Sequence, residues 1–311
     1  MRGAIIGKIH ELMKTNDKIY FLTGDLGYSV LEGIEKDFPR RFINVGVAEQ
    51  NMMGIAAGLA MTGKKVFVYS IIPFVTMRCF EQIRDDICYH NLNVKILGVG
   101  SGLSYGLLGS THFALEDVGI MRLLPRMAIV APADPLEGSL MVKEVLARRG
   151  PVYMRIGKKD EKQIFKTPFP LHIGKGIILR KGHDVVIFSS GPILHVVLAV
   201  EEKLRRLGVS STVVNMHTLK PLDEELVRTV SQGKKAVVTV EEHSIIGGLG
   251  GAVCETLSRA GGFCEKVLSL GTNDEFITHI GSQDYLRGKL GLSVDAIVDR
   301  IVSAVKKQPH G

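Results

Sequence analysis

Two short stretches carry side chains that could do chemistry. The first is FINVGVAEQNMMGIAAGLAMTG, Phe42 to Gly63, which reads as a buried strand, a tight turn and a helix of small and apolar residues. Glu49 stands at the turn, where it faces desolvation rather than water. The dipole of the helix favours its charged form, whereas loss of water around it favours the neutral one. A carboxyl in that balance can hold a proton and share it with a basic nitrogen of a ligand. The same side chain could instead only cap backbone N–H groups of its own helix. The second stretch is GSTH, Gly109 to His112, which follows a glycine-rich loop. An imidazole there can donate to a developing alkoxide or shuttle a proton; a lone histidine can equally serve packing.

The elements that must hold these residues follow from the apolar pattern. IYFLTG (19–24), FINVG (42–46), KVFVYS (65–70), VKILGVG (94–100) and MAIVAPA (127–133) read as strands, each followed by a helical stretch or a glycine-rich turn. Near-continuous apolar strands imply a parallel sheet covered on both faces. Regular βα alternation predicts a doubly wound unit. The segment 157–176 is polar, carries two prolines and has no helical period, so it reads as a linker ending in an edge strand. A second α/β unit follows, with strands at 184–191, 211–217, 236–243 and 265–271 and helices at 192–207 and 222–232. The expected fold class is α/β: two doubly wound domains, residues 1–165 and 166–311, with the linker region at 157–176.

Composition narrows the function classes. The 311 residues are 45% hydrophobic and 23% charged, as in a soluble globular protein. No apolar run reaches the ~18–20 residues of a membrane span. The opening MRGAIIGKIHELMKTNDK reads as an amphipathic helix and not as a signal peptide. A cytoplasmic location without membrane attachment is expected. Cys79, Cys88, Cys254 and Cys264 lack CxxC spacing, which favours reduced core thiols over a zinc site. The net charge of +7 is scattered. No basic stripe with interleaved aromatics points to nucleic acid; a mild positive balance suits anionic small substrates.

Eight words then occur in a fixed order: GDL (24–26), VGVAEQNM (45–52), FVTMRCFEQIR (74–84), GSTH (109–112), APAD (131–134), PVYMRIG (151–157), TLKPLD (218–223) and EEHSIIGGLGG (241–251). Together they closely resemble the C-terminal half of a transketolase, over roughly residues 2–305. That half comprises the pyrimidine-binding domain and the C-terminal domain. The best match is the stand-alone C-terminal subunit of a split, two-chain transketolase. Related families are 1-deoxyxylulose-5-phosphate synthase and the β subunits of 2-oxoacid dehydrogenase E1 components, all of which use thiamine diphosphate.

The resemblance implies roles residue by residue. Glu49 matches the acid that hydrogen-bonds N1′ of the cofactor's aminopyrimidine. Phe74 matches the aromatic that stacks on that ring, and Ile71 and Met77 stand where two further aromatics are usual. Leu26 matches the apolar residue that props the bent cofactor, although it also reads as a strand-end core leucine. His112 matches a histidine at the reacting end of the substrate. Arg2, Ser29 and Arg155 match the rim that receives the substrate phosphate, a task suited to the planar donor fork of arginine. Asp25 and Gln82 are expected to organise the pocket or subunit contacts. The glycine turn after Glu241, and His243 with it, are expected to be structural.

The same resemblance implies what the chain lacks. The family's diphosphate and metal site is a GDG…N motif in the N-terminal half, whereas GDLG (24–27) has no downstream Asn. An N-terminal transketolase subunit is therefore expected as partner, holding the diphosphate and most of the Mg²⁺ (or Ca²⁺) contacts. The natural assembly is a heterotetramer with a central dimer of this chain. The implied activity is transfer of a two-carbon ketol unit between sugar or sugar-phosphate substrates. Two positions depart from the pattern: GLLG (106–109) replaces GEDG, putting Leu108 where an acid reads a donor hydroxyl, and Gly100 stands near where a basic residue is usual. Both strip polar contacts from the substrate channel. Two other readings stay open, an E1β-like subunit acting on 2-oxoacids and a non-catalytic regulatory subunit.

Overall fold

The computed structural model describes residues 1–159, 161–261 and 266–306. The first half of the chain supplies β1 (Ile19–Thr23), β2 (Phe42–Asn44), β3 (Lys65–Ile71), β4 (Val94–Val99), β5 (Ala128–Val130) and β6 (Val152–Ile156). The second half supplies β7 (Ile177–Arg180), β8 (Val185–Ser189), β9 (Ser211–Asn215), β10 (Thr218–Lys220), β11 (Ala236–Ser244) and β12 (Val267–Thr272). They form two sheets, in the orders β10-β5-β6-β4-β3-β1-β2 and β12-β11-β8-β9-β7. All pairings are parallel except those of the edge strands β10 and β7, which run antiparallel. The α/β expectation holds: both sheets are parallel-dominated and covered by helices.

Three details differ from the pattern reading. The strand β6, inside PVYMRIG, escapes the apolar-run pattern because Arg155 interrupts it, yet it lies between β4 and β5. The strand β2 stops at Asn44 because that side chain turns back: its Oδ1 accepts from the N–H groups of Asp25 (3.0 Å) and Gly46 (3.0 Å). The third difference is β10, which crosses from the second half to pair with the edge of the first sheet through β5. It covers backbone groups that would otherwise be open to pairing with another chain. The expected last strand begins at residue 265, outside the described residues.

Burial explains the layering. The helix Arg2–Thr15 places Ile5, Ile6, Ile9 and Met13 on one face of the first sheet, beside Met141, Val142 and Val145 of the helix Pro135–Ala147. The helix Glu49–Met61 covers the other face with Met52, Met53, Ala56, Ala57 and Ala60. That core runs on into Val186, Phe188 and Val214 of the second sheet, so the two sheets share apolar packing. Cys79 and Cys88 lie in it, their thiols pushed up to about 12 chiefly by burial. Cys264 lies outside the described residues. No helix among the described residues is long and apolar enough to cross a membrane.

Candidate active site

The chain reaches Glu49 from β2 through a loop whose last residue, Ala48, offers no side-chain cap to the helix. Glu49 does not cap the helix either. Its carboxylate is 1% exposed and points at β3. There the Ser70 hydroxyl donates to Oε1 at 3.0 Å and Arg78 Nη1 donates to Oε2 at 2.6 Å. The Arg78 guanidinium also lies 4.5 Å over the Phe74 ring, and its side chain as a whole is 42% exposed. One planar cation thus satisfies a buried acid and covers an aromatic face. Pattern reasoning misses both Ser70 and Arg78. The spacing in FVTMR holds the signal for Arg78, because residues four apart on a helical stretch are neighbours.

Phe74 leads onward to His112, whose ring meets it edge-on at 5.2 Å and lies 5.9 Å from the Tyr105 ring. The Thr111 hydroxyl is 3.0 Å from His112 Nδ1. Burial first, then the charge of Lys158, holds the imidazole below its ordinary pKa, so it is neutral at neutral pH. Lys158 itself sits 4.5 Å over the other aromatic, Tyr105. Glu49, Arg78, Phe74, His112, Tyr105 and Lys158 therefore form one continuous line of contacts. Leu26 and Phe74 are half-buried against the same core cluster. Ile71 is part of that core and 7% exposed, whereas Met77 stands 37% exposed just past the helix Ile72–Thr76.

The expected phosphate rim is only partly assembled. Arg2 lies close enough to perturb Tyr69, Tyr105 and Glu32, and Glu32 accepts the Ser29 N–H at 2.6 Å. Arg2 and Ser29 are thus near neighbours of one carboxylate. Arg155, the third residue expected there, is held elsewhere. It is 4% exposed and braces the interior: Nε donates to Asp117 at 2.8 Å, and Nη2 donates to the carbonyls of Ala114 (2.6 Å) and Glu242 (2.9 Å). The strand alternation puts Arg155 and Tyr153 on one side, and the Tyr153 hydroxyl binds the same Asp117 at 2.6 Å.

One of the two departures, Gly100, has a structural reason. Gly100 has φ +93, and a Cβ there would lie 2.1 Å from the Tyr105 ring. The ring fills the space that a side chain at position 100 would need. Leu108 ends a short helical turn and is 51% exposed, on the lip of a cleft that also includes Tyr105 and Lys158. Asp25, at φ +59, is exposed and held by Asn44 Nδ2 at 3.1 Å. Gln82 Oε1 is buried and has no hydrogen-bond partner among the described residues. In the second unit, His243 Nδ1 donates to the Ser244 carbonyl at 2.7 Å and Nε2 accepts the Gly119 N–H at 3.2 Å. Glu241 caps the helix Leu249–Ala260 through the N–H groups of Leu249 and Gly250. Those contacts are structural.

Known proteins fit this arrangement along nearly its whole length. Residues 1–162 match the family model for the transketolase pyrimidine-binding domain, and residues 174–297 match that for the transketolase C-terminal domain. The 6-deoxy-6-sulfo-D-fructose transketolase subunit SqwH of Clostridium sp. (strain MSTE9) is 37% identical over 300 residues, 96% of this chain and 92% of that one. A subunit of the apulose-4-phosphate transketolase of Phocaeicola vulgatus is 36% identical over 308 residues, 98% of this chain and 97% of that one. A solved split-gene transketolase, an inactive β4 tetramer, superposes with a TM-score of 0.88 at 38% identity, covering 99% of this chain and 98% of that one. With two consecutive domain matches and relatives of nearly the same extent, the chain belongs to the transketolase family, as a homologue of the C-terminal subunits of split-gene transketolases.

Proposed function

We propose that this chain is the pyrimidine-side subunit of a two-chain, thiamine-diphosphate-dependent transketolase that moves a two-carbon ketol unit between sugar or sugar-phosphate substrates. The observation that carries the reading is the seat taken by Arg78. Its flat, cationic guanidinium is bonded to Glu49 and stacked on Phe74. An aminopyrimidine needs the same two things, an acid for its ring nitrogen and an aromatic face for its plane. The residues therefore fit the cofactor, with Arg78 as its stand-in.

In this reading Glu49 shares a proton with the pyrimidine nitrogen while Ser70 fixes its other oxygen. Phe74 takes the ring plane, Leu26 flanks it, and Ile71 and Met77 lie before and after the helix that carries Phe74. When bound, thiamine diphosphate supplies the carbon nucleophile and the electron sink for breaking and making the carbon–carbon bond. The neutral His112 can donate to, or accept from, a substrate oxygen at the reacting end. Arg2 and Ser29 remain candidates for the rim, and Leu108 contributes an apolar lip. The chain divides near the linker 157–176 into a pyrimidine-binding and a C-terminal domain.

The diphosphate and its Mg²⁺ (or Ca²⁺) fall to an N-terminal partner subunit, with two copies of this chain at the centre of the assembly. A split-gene relative of the same extent that is inactive as a tetramer of β chains supports this division of labour. The test is calorimetry and a coupled ketol-transfer assay, with and without the partner subunit. The chain alone should bind thiamine diphosphate weakly and turn nothing over; the assembled complex should transfer ketol units from a ketose donor. Full turnover by the lone chain would end the two-chain reading. Conversion of 2-oxoacids but not ketoses by the complex would end the transketolase reading.

A further inference from the structure

The cleft that begins at Tyr105 and Leu108 has a volume of about 540 Å³ and runs between the two units. One wall is the 104–108 loop, the second is Lys158, Lys159, Glu161 and Lys162 after β6, and the third is residues 281–284 and Arg287 with Pro192 and His195. The walls are pinned together. The Gly281 N–H donates to the Gly106 carbonyl at 3.2 Å, and a Cβ on Gly106 would lie 2.1 Å from the Gly281 oxygen.

Among the described residues lining this cleft, the cations outnumber the acids. Its acids are Glu161 and Asp284 among the described residues. Glu161 is paired with the Met1 ammonium at 2.7 Å, and Asp284 with Arg287 at 2.8 Å. The Nε of Arg287 is bonded in turn to Glu242. Lys158 and Lys162 have no carboxylate partner among the described residues. The Tyr105 ring lies beneath Lys158 at 4.5 Å. His195 donates through Nδ1 to the Pro192 carbonyl at 2.7 Å, and burial first, then the charges of Arg287 and Lys162, disfavour a proton on its ring. Two ammonium groups and an imidazole thus share a concave site with its acids already engaged. A tetrahedral anion would relieve that repulsion and accept several charge-assisted hydrogen bonds at once.

The position adds a second argument. Tyr105 touches both Lys158 and His112, so the cleft opens one ring away from the candidate reacting centre. We propose that Lys158 and Lys162 seat the terminal anionic group, phosphate or sulfonate, of the sugar whose other end meets His112. Arg155 is unavailable for that task, since its guanidinium is engaged by Asp117 and two carbonyls. The proposal rests on the ketol-transfer reading for the identity of the sugar, but not for the presence of the anion site.

The experiment therefore has two arms, both on the wild type and on the double variant Lys158→Gln/Lys162→Gln. In the first, inorganic phosphate is titrated into the full chain and followed by NMR. Millimolar binding is expected, weakened about tenfold or more in the double variant. In the second, kcat/KM of the assembled complex is measured for a phosphorylated ketose, a sulfonated ketose and an uncharged ketose. The preference for a charged ketose over the uncharged one should fall by about ten- to a hundredfold in the double variant. The ketose that loses more identifies the anion the site is built for. An unchanged preference overturns the proposal while wild-type turnover leaves the transketolase reading standing. If no ketose turns over, the transketolase reading and the sugar assignment fail together, and the phosphate titration alone decides the anion site. Phosphate binding of equal strength in both chains overturns that site as well.

Discussion

Replacing Arg78 by alanine should have opposite effects in two assays. In the empty chain the substitution removes the charged partner of Glu49, whose side chain is 1% exposed. The Ser70 hydroxyl at 3.0 Å remains, but it brings no charge. Removing one member of a fully buried ion pair costs about 3–5 kcal/mol. Arg78 is 42% exposed, so water screens the pair and can take the place of the guanidinium. That exposure brings the expected loss down to about 1–2 kcal/mol. In the assembled complex the same change should tighten thiamine diphosphate, because a ring entering against Phe74 and Glu49 no longer has to displace the guanidinium. A competitor worth about 1–2 kcal/mol corresponds to roughly five- to thirtyfold in Kd. Urea unfolding followed by circular dichroism reads the first effect, and calorimetric titration of the cofactor into the complex reads the second. A double-mutant cycle isolates the pair: Arg78→Ala should cost about 0.5 kcal/mol or less in a Glu49→Gln background. If the variant loses cofactor affinity together with stability, Arg78 is a binding or packing residue and the stand-in argument is wrong.

Three further outcomes are expected. Glu49→Gln in the complex should slow deuterium exchange at the thiazolium C2 by about a hundredfold or more, since an amide cannot share a proton with the ring nitrogen as a carboxyl does; an unchanged exchange rate would leave Glu49 a purely structural acid. Leu108→Asp should raise the preference for ordinary ketose phosphates by about ten- to a hundredfold, because an apolar side chain leaves a donor hydroxyl unpaired at about 1–3 kcal/mol. Competition between xylulose 5-phosphate and a deoxy or sulfonated sugar measures that preference. The third concerns pH. Burial pushes the Glu137 carboxyl from 4.5 up to about 8, so between those values the folded chain holds a proton that the unfolded chain has lost, and stability should fall as pH rises through that window. Glu137→Gln should flatten the slope between urea midpoints taken at about pH 5 and about pH 8; an equal slope in both chains would show that Glu137 is ionised throughout.

What the sequence made legible, and what it hid, divides along one physical line. Apolar runs and βα alternation are local, and they located both sheets. An acid at a strand-to-helix turn is local too, and Glu49 is buried there. The contacts that give these residues their setting are not local. Ser70 and Arg78 meet Glu49 across 21 and 29 residues of chain. The edge strand β10 joins a sheet built by the other half of the protein. Gly100 reads as the loss of a side chain, whereas the space it leaves is filled by Tyr105.

Charge shows the same division more sharply. A net charge of +7 is a sum over the whole chain, and a sum cannot distinguish an engaged cation from an available one. Arg155 reads like a phosphate ligand by its place in PVYMRIG, but the pleat of β6 turns it toward Asp117, 38 residues upstream. Arg78 faces the candidate site, yet Glu49 holds it. Lys158 and Lys162 lie in what reads as a polar linker, and they line a cleft without carboxylate partners among the described residues. The deciding quantity is what each cation has already paired with, and long-range packing sets that.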